Sequence, residues 1–126
     1  MMIVPDNYGG LEEEFSNYEN SYFVVLPVPL EKTVSYKGGT SEGPKAIINA
    51  SQNMELLDEE FFVSPCTKGI HTKNEINCMQ DMETVMQLIE EESYIILNDN
   101  KFLCVLGGEH SVSQAPIMAA KRVYKD

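Results

Sequence analysis

Basic side chains are scarce in this sequence. Nine Lys and Arg stand against twenty Asp and Glu, for a net charge of −11. That disfavours nucleic acid and anionic membranes as partners, because their phosphates select Lys and Arg. Cysteine is sparse too. Cys66, Cys78 and Cys104 are odd in number and form no CxxC pair. Neither a disulfide framework nor a zinc knuckle is signalled, and a reducing, cytoplasmic setting is expected. Cys104 lies in an apolar run and is expected to be a small buried hydrophobe. Long hydrophobic runs are absent. The longest near-apolar stretch, 22-YFVVLPVPL-30, is too short to span a bilayer and carries two prolines. The N-terminus has no basic start and no apolar core of a leader, so no secretory signal is read. There is no internal repeat and no low-complexity segment.

What is present is a chain of 126 residues, 43% apolar, which suits one globular domain or a piece of one. Residues 1–21 are acidic and polar and are expected to form an extended or partly helical arm. Residues 22–28 hold consecutive apolar side chains, Val24, Val25 and Leu26, as in a strand buried on both faces. A long polar loop leads to Gly43-Pro44, which opens a helix running to about Asn53, with Ile47, Ala50, Ser51 and Met54 on its apolar face. A short strand is expected at 55–57, then irregular chain to residue 79 with another short strand near Gly69-Ile70.

Asp81 is placed to cap a second helix. Met82, Val85, Met86, Ile89, Ile96 and Leu97 recur along it at helical spacing, while Glu90, Glu91 and Glu92 face water. Lys101 to Leu106 reads as a strand. Ser113 can cap a third helix with Pro116 in its first turn and Ala115, Met118, Ala119 and Val123 as its stripe. Strands alternating with helices predict an α/β fold with a parallel sheet, here of about three strands with an open edge, and the chain reads as cut off after the third helix.

The candidate chemistry lies in 105-VLGGEHSVS-113. Ligands of open parallel sheets bind beyond the carboxyl ends of the strands, and Gly107 and Gly108 stand at such an end. Glycine there permits a sharp turn and close approach. His110 would point into the crevice, where a neutral imidazole can ligate Mn, Fe or Zn and a carboxylate such as Glu109 can steady the ligand. On spacing alone, a plain strand-to-helix turn with a surface histidine is the slightly better fit. A Glu-His-Ser hydrolase is disfavoured, since adjacent residues rarely point at one another. The loop 38-GGTSEGPK-45 imitates a phosphate loop, but Pro44 stands where Lys is needed and Ala46 where Ser or Thr is needed. A nucleotide site is therefore rejected. His71 is expected to be satisfied within the fold or by solvent.

Three segments in order, 23-FVVLPVPLEKTVSYKGGTSEGPKAI-47, 51-SQNMELLDEE-60 and 105-VLGGEHSVS-113, resemble the N-terminal part of the ureohydrolase (arginase/agmatinase) family, most closely its agmatinase branch. The resemblance runs over residues 8 to about 124. It implies a three-layer α-β-α domain with a parallel sheet, over residues 22–126, and metal-assisted hydrolysis of a guanidino group on two Mn2+ ions. Agmatine would give putrescine and urea. It implies that His110 is a manganese ligand, that Glu109 supports the site without ligating, and that Gly107 and Gly108 form its turn. No catalytic residue is assigned within this chain. Ile48 stands where some members carry Arg. The family's further ligands lie in Asp-Ala-His-x-Asp and Asp-x-Asp motifs, and this sequence has neither an Asp-x-His nor an Asp-x-Asp. The expectation is that the complete domain takes a small guanidino substrate as a homo-oligomer, without nucleic acid or membrane, and that this chain alone turns nothing over. The alternative is a non-catalytic binding or assembly module.

Overall fold

The computed structural model describes residues 3–125; Met1 and Met2 of the predicted arm, and Asp126, lie outside them. The regular elements are α1 (Glu13–Ser16), β1 (Phe23–Val28), α2 (Gly43–Ser51), β2 (Ile70–Thr72), α3 (Met82–Asn98), β3 (Phe102–Gly107) and α4 (Gln114–Val123). The three strands form one parallel sheet in the order β2-β1-β3. The chain therefore moves one way across the sheet from β1 to β2 and back the other way from β2 to β3. Right-handed crossovers in opposite directions put α2 on one face and α3 on the other, giving the three-layer arrangement.

β1 is the central strand. Val24, Leu26 and Val28 point to one face and join Val85, Ile89 and Ile96 of α3 and Ala115 of α4 in the main core. Val25 points to the other face and is equally buried. A strand covered on both sides has no room for polar alternation, which is why 23–28 reads as a solid apolar run.

Asp81 caps α3 as its sequence position predicts. Its carboxylate accepts from the Thr84 amide at 3.0 Å and the Thr84 hydroxyl at 2.7 Å. Met82 and Met86 pack against the core. Of the three glutamates expected to face water, Glu90 and Glu91 are bridged by Arg122, and Glu92 lies 2.8 Å from Lys73.

Four expectations are corrected. Residues 55–57 are not a strand; the segment folds into a turn closed by one antiparallel bridge between Asp58 and Val63. Two adjacent leucines resemble a strand, but among the described residues no strand pairs with them. α2 ends at Ser51, and its buried face is Pro44, Ile48 and Ser51, whereas Ile47 and Met54 are exposed. The apolar stripe is thus rotated by one residue. Cys104 is exposed, because β3 is an outer strand and its Phe102/Cys104 side is uncovered there. Ser113 makes no side-chain cap: a 3-10 turn over His110–Ser113 runs directly into α4, so Ser113 is already helical, and Met118 on the predicted stripe is exposed.

The arm lies against β2 and α2. The Tyr8 amide donates to the Thr72 hydroxyl at 2.9 Å and the Gly9 amide to the Ser51 hydroxyl at 2.8 Å. Gly69 leads into β2 with φ +77°, and a Cβ there would meet the Ser21 Cα at 2.5 Å. The arm and the edge strand are thereby locked together. No described helix is long and apolar enough to cross a membrane.

Candidate functional site

In the β1–β3 ladder, Val28 pairs with Gly107. The two strands therefore end together, and the segments that follow them meet. The Gly108 amide donates to the Val28 carbonyl at 3.0 Å and the Glu109 amide to the Leu30 carbonyl at 2.8 Å. This approach is what the second glycine serves. A Cβ on Gly108 would lie 2.1 Å from the Leu30 carbonyl oxygen and 2.6 Å from its nitrogen. Gly107 is tight for a different reason: its Cβ would meet a Val112 methyl at 2.8 Å.

Glu109 is buried and carries the polar side of this junction. One carboxylate oxygen accepts from the backbone amides of Lys32 and Thr33 at 2.6 and 2.8 Å. The other accepts from the Thr33 and Ser111 hydroxyls, each at 2.5 Å. These donors, the Ser111 hydroxyl first and the Thr33 hydroxyl next, stabilise the anion and hold its pKa down to about 2. The carboxylate thus bolts the chain after β1 to the chain after β3.

His110 follows at once and is exposed. It lines an open groove of about 400 Å³ together with Gly108, Glu109, Ser111 and the segment Thr33–Lys37. Ser111 gives its proton to Glu109 and not to His110, so a Glu-His-Ser relay is not assembled. Glu31, outside the groove lining, closes the same loop on itself. Its carboxylate accepts from the Gly39 amide at 2.9 Å and the Ser41 amide at 2.9 Å, and the Ser41 and Gly39 amides hold its pKa down. The loop that imitates a phosphate cradle is therefore filled by its own carboxylate, in keeping with the rejection of a nucleotide site.

A larger concavity of about 610 Å³ lies beside β2 and α3, away from His110. Several of its polar groups are already engaged. His71 Nδ1 is 2.8 Å from the Ser16 carbonyl, the Tyr18 hydroxyl donates to Asp99 at 2.7 Å, and Lys73 sits 2.8 Å from Glu92. His71 is a satisfied structural residue.

Among the described residues, no three His, Cys, Asp or Glu side chains gather to hold a metal ion. The Glu109 oxygens are taken by four donors, which leaves the His110 imidazole as the free donor of the motif. These residues do not fit two manganese ions by themselves. An exposed imidazole at a strand's carboxyl end, on a backbone pinned on both sides, suits one ligand position. Glu31, Thr33 and the Lys32 amide were not singled out by sequence reasoning. Lys32 and Thr33 meet Glu109 across 77 and 76 residues, and Glu31 meets Gly39 and Ser41 within a loop that has no regular pattern.

Residues 21–126 match the model of the arginase family. The chain is 37% identical over 111 residues to an N(1)-aminopropylagmatine ureohydrolase of Thermus thermophilus, covering 87% of this chain and 38% of that protein. It is 31% identical over 118 residues to an agmatinase of Halalkalibacterium halodurans, covering 88% of this chain and 39% of that protein. The fold is similar to the crystal structure of the agmatine ureohydrolase of Thermoplasma volcanium, with a TM-score of 0.81 and 24% identity over 94% of this chain and 39% of that one. It is also similar to a Trypanosoma cruzi formiminoglutamase solved with Mn2+, with a TM-score of 0.79 and 20% identity over 88% of this chain and 39% of that one. The chain thus spans about two-fifths of the length of the relatives it matches.

Proposed function

Because this chain belongs to the arginase family, we propose that it supplies the Gly-Gly-Glu-His-Ser corner of a ureohydrolase, with His110 as one manganese ligand. The reaction is metal-assisted hydrolysis of a guanidino group. Its substrate is a linear aminoalkyl guanidine, agmatine giving putrescine and urea, or N1-aminopropylagmatine, whose hydrolases are among the similar relatives. The complete domain works in the cytosol as a homo-oligomer. One observation carries the reading: Glu109 is spent on fixing the backbone, and the neighbouring His110 lines the groove with its imidazole exposed. This chain's residues hold and orient; the further ligands are not among those described.

The open outer strand β3 favours a second reading, a non-catalytic module that pairs with a full-length relative. One experiment separates the two. The native polypeptide is recovered from its source cells and its intact mass measured. Urea release from agmatine and from N1-aminopropylagmatine is then followed with Mn2+, for that polypeptide and for the 126-residue chain. The enzyme reading expects a larger native mass, urea from the native polypeptide that His110→Ala abolishes, and none from the short chain. An inactive native polypeptide with the mass of this chain would replace it with the module reading.

A further inference from the structure

The loop that walls the groove beside His110 is fixed at both ends by carboxylates of this chain. At its start, Glu109 accepts from the amides of Lys32 and Thr33, which ties them to the segment after β3. At its end the anchor is Glu31, which reaches forward along its own loop. One oxygen accepts from the Gly39 amide at 2.9 Å; the other accepts from the Ser41 amide at 2.9 Å and the Gly39 amide at 3.1 Å. Gly39 and Ser41 stand eight and ten residues further on, so one side chain closes the loop across its base. Bonds from amides to an ionised carboxylate are the stronger kind. Thr40, between the two clasped residues, lines the groove, as do Thr33–Lys37, whereas Glu31 does not.

Between the two anchors the loop has little of its own to hold it. Among the described residues no hydrogen bond reaches Val34–Gly38, and Tyr36 is 86% exposed, with the Lys37 ammonium 5.8 Å from its ring centre. Such a span keeps one conformation only as far as its ends are fixed. Gly38 carries the mark of the clasp. It does not take a positive φ, yet a Cβ there would meet a Glu31 carboxylate oxygen at 2.9 Å. The carboxylate occupies the space that a side chain at 38 would need. We propose that Glu31 is a positioning residue, which holds the Thr33–Thr40 wall in place so that a substrate meets a pre-formed surface beside His110. The inference rests on the ureohydrolase reading for the identity of that substrate, an aminoalkyl guanidine, and not for the clasp itself. Glu31 touches no reacting atom, so its loss acts on binding and not on chemistry.

The test uses the polypeptide at the length its source cells make, so that every segment able to cover the loop is present. Hydrogen exchange is followed by mass spectrometry on the peptide spanning residues 33–41. Glu31→Ala should speed its exchange on the order of tenfold or more and leave the peptide spanning 105–113 unchanged. Glu31→Gln keeps one carbonyl oxygen and should fall between. Gly38→Ala should speed exchange in the wild type but add little to Glu31→Ala, where the oxygen it strikes is gone; unrelated damage would add. With Mn2+ and agmatine, Glu31→Ala should raise KM on the order of tenfold and change kcat far less, with Glu31→Gln again between. A merely structural role would lower the active fraction, and so kcat, at unchanged KM. Exchange unchanged by Glu31→Ala would mean that other parts of the polypeptide hold the wall, and overturns the proposal. So does faster exchange with KM unchanged, or a loss confined to kcat. A wild type that releases no urea overturns the ureohydrolase reading instead, and exchange alone then decides for or against the clasp.

Discussion

At Gly108 a methyl group would have to occupy the position of a backbone carbonyl. The Leu30 oxygen is 2.1 Å from that position and belongs to a segment tied down by Glu109, so it cannot move aside alone. Gly108→Ala should destabilise the chain by about 3 kcal/mol, read as a lower urea midpoint at unchanged slope. Gly39 is the control: its φ is +107° but nothing lies within 4 Å of its Cβ position, so Gly39→Ala should cost only about 1 kcal/mol. Glu109 makes a second prediction at this scale. Its carboxyl pKa falls from 4.5 to about 2 on folding, so the unfolded chain binds the proton more readily. The stability that this group contributes is therefore fully present above about pH 4.5 and is lost as pH falls towards 2. Melting temperatures of the wild type and of Glu109→Gln should differ most near neutrality and converge in acid. Glu31, also held down, keeps some acid sensitivity in both. The motif that carries these residues was legible because it is contiguous. Its tie to Thr33 was not, since 76 residues separate the two positions and no local pattern couples them.

Elements were legible where one face of one element decides the pattern. α3 has a capping Asp and apolar side chains at helical spacing because it lies on the sheet along a single stripe. Adjacent residues on it should behave oppositely. Ile96 is fully buried in the core and Ile95 is 45% exposed. Ile96→Ala should cost roughly 3 kcal/mol by leaving a cavity, and Ile95→Ala less than about 1 kcal/mol, both by chemical denaturation. α2 was harder to read. Its apolar content is low enough that Ile47/Met54 and Pro44/Ile48 stripes fit the sequence equally, and the sheet's position chooses the second. Leu56 and Leu57 resemble a strand because pattern alone does not distinguish a buried strand from an exposed turn.

Sheet order is a property of the whole molecule, and it explains the misreading of Cys104. Phe102 to Leu106 carries the composition of a strand covered on both sides, as β1 is. Composition does not say where a strand stands, and β3 stands at the edge. Leu103 and Val105 pack on the core, while Phe102 and Cys104 face outward uncovered. The three thiols should therefore react in order of position. Cys104 is exposed and should react with a chromogenic disulfide reagent at close to the rate seen in denaturant. Cys78 is half-buried, and burial first, with Glu75 next, raises its thiol pKa, so its thiolate is rarer and its rate lower. Cys66 is 7% exposed and should wait for opening of the fold. One fast, one intermediate and one slow phase are expected, with Cys104→Ser removing the fast one. If Cys104 proved as protected as Cys66 in dilute chain, something would have to cover the outer face of β3 in solution, and the sheet would not end there.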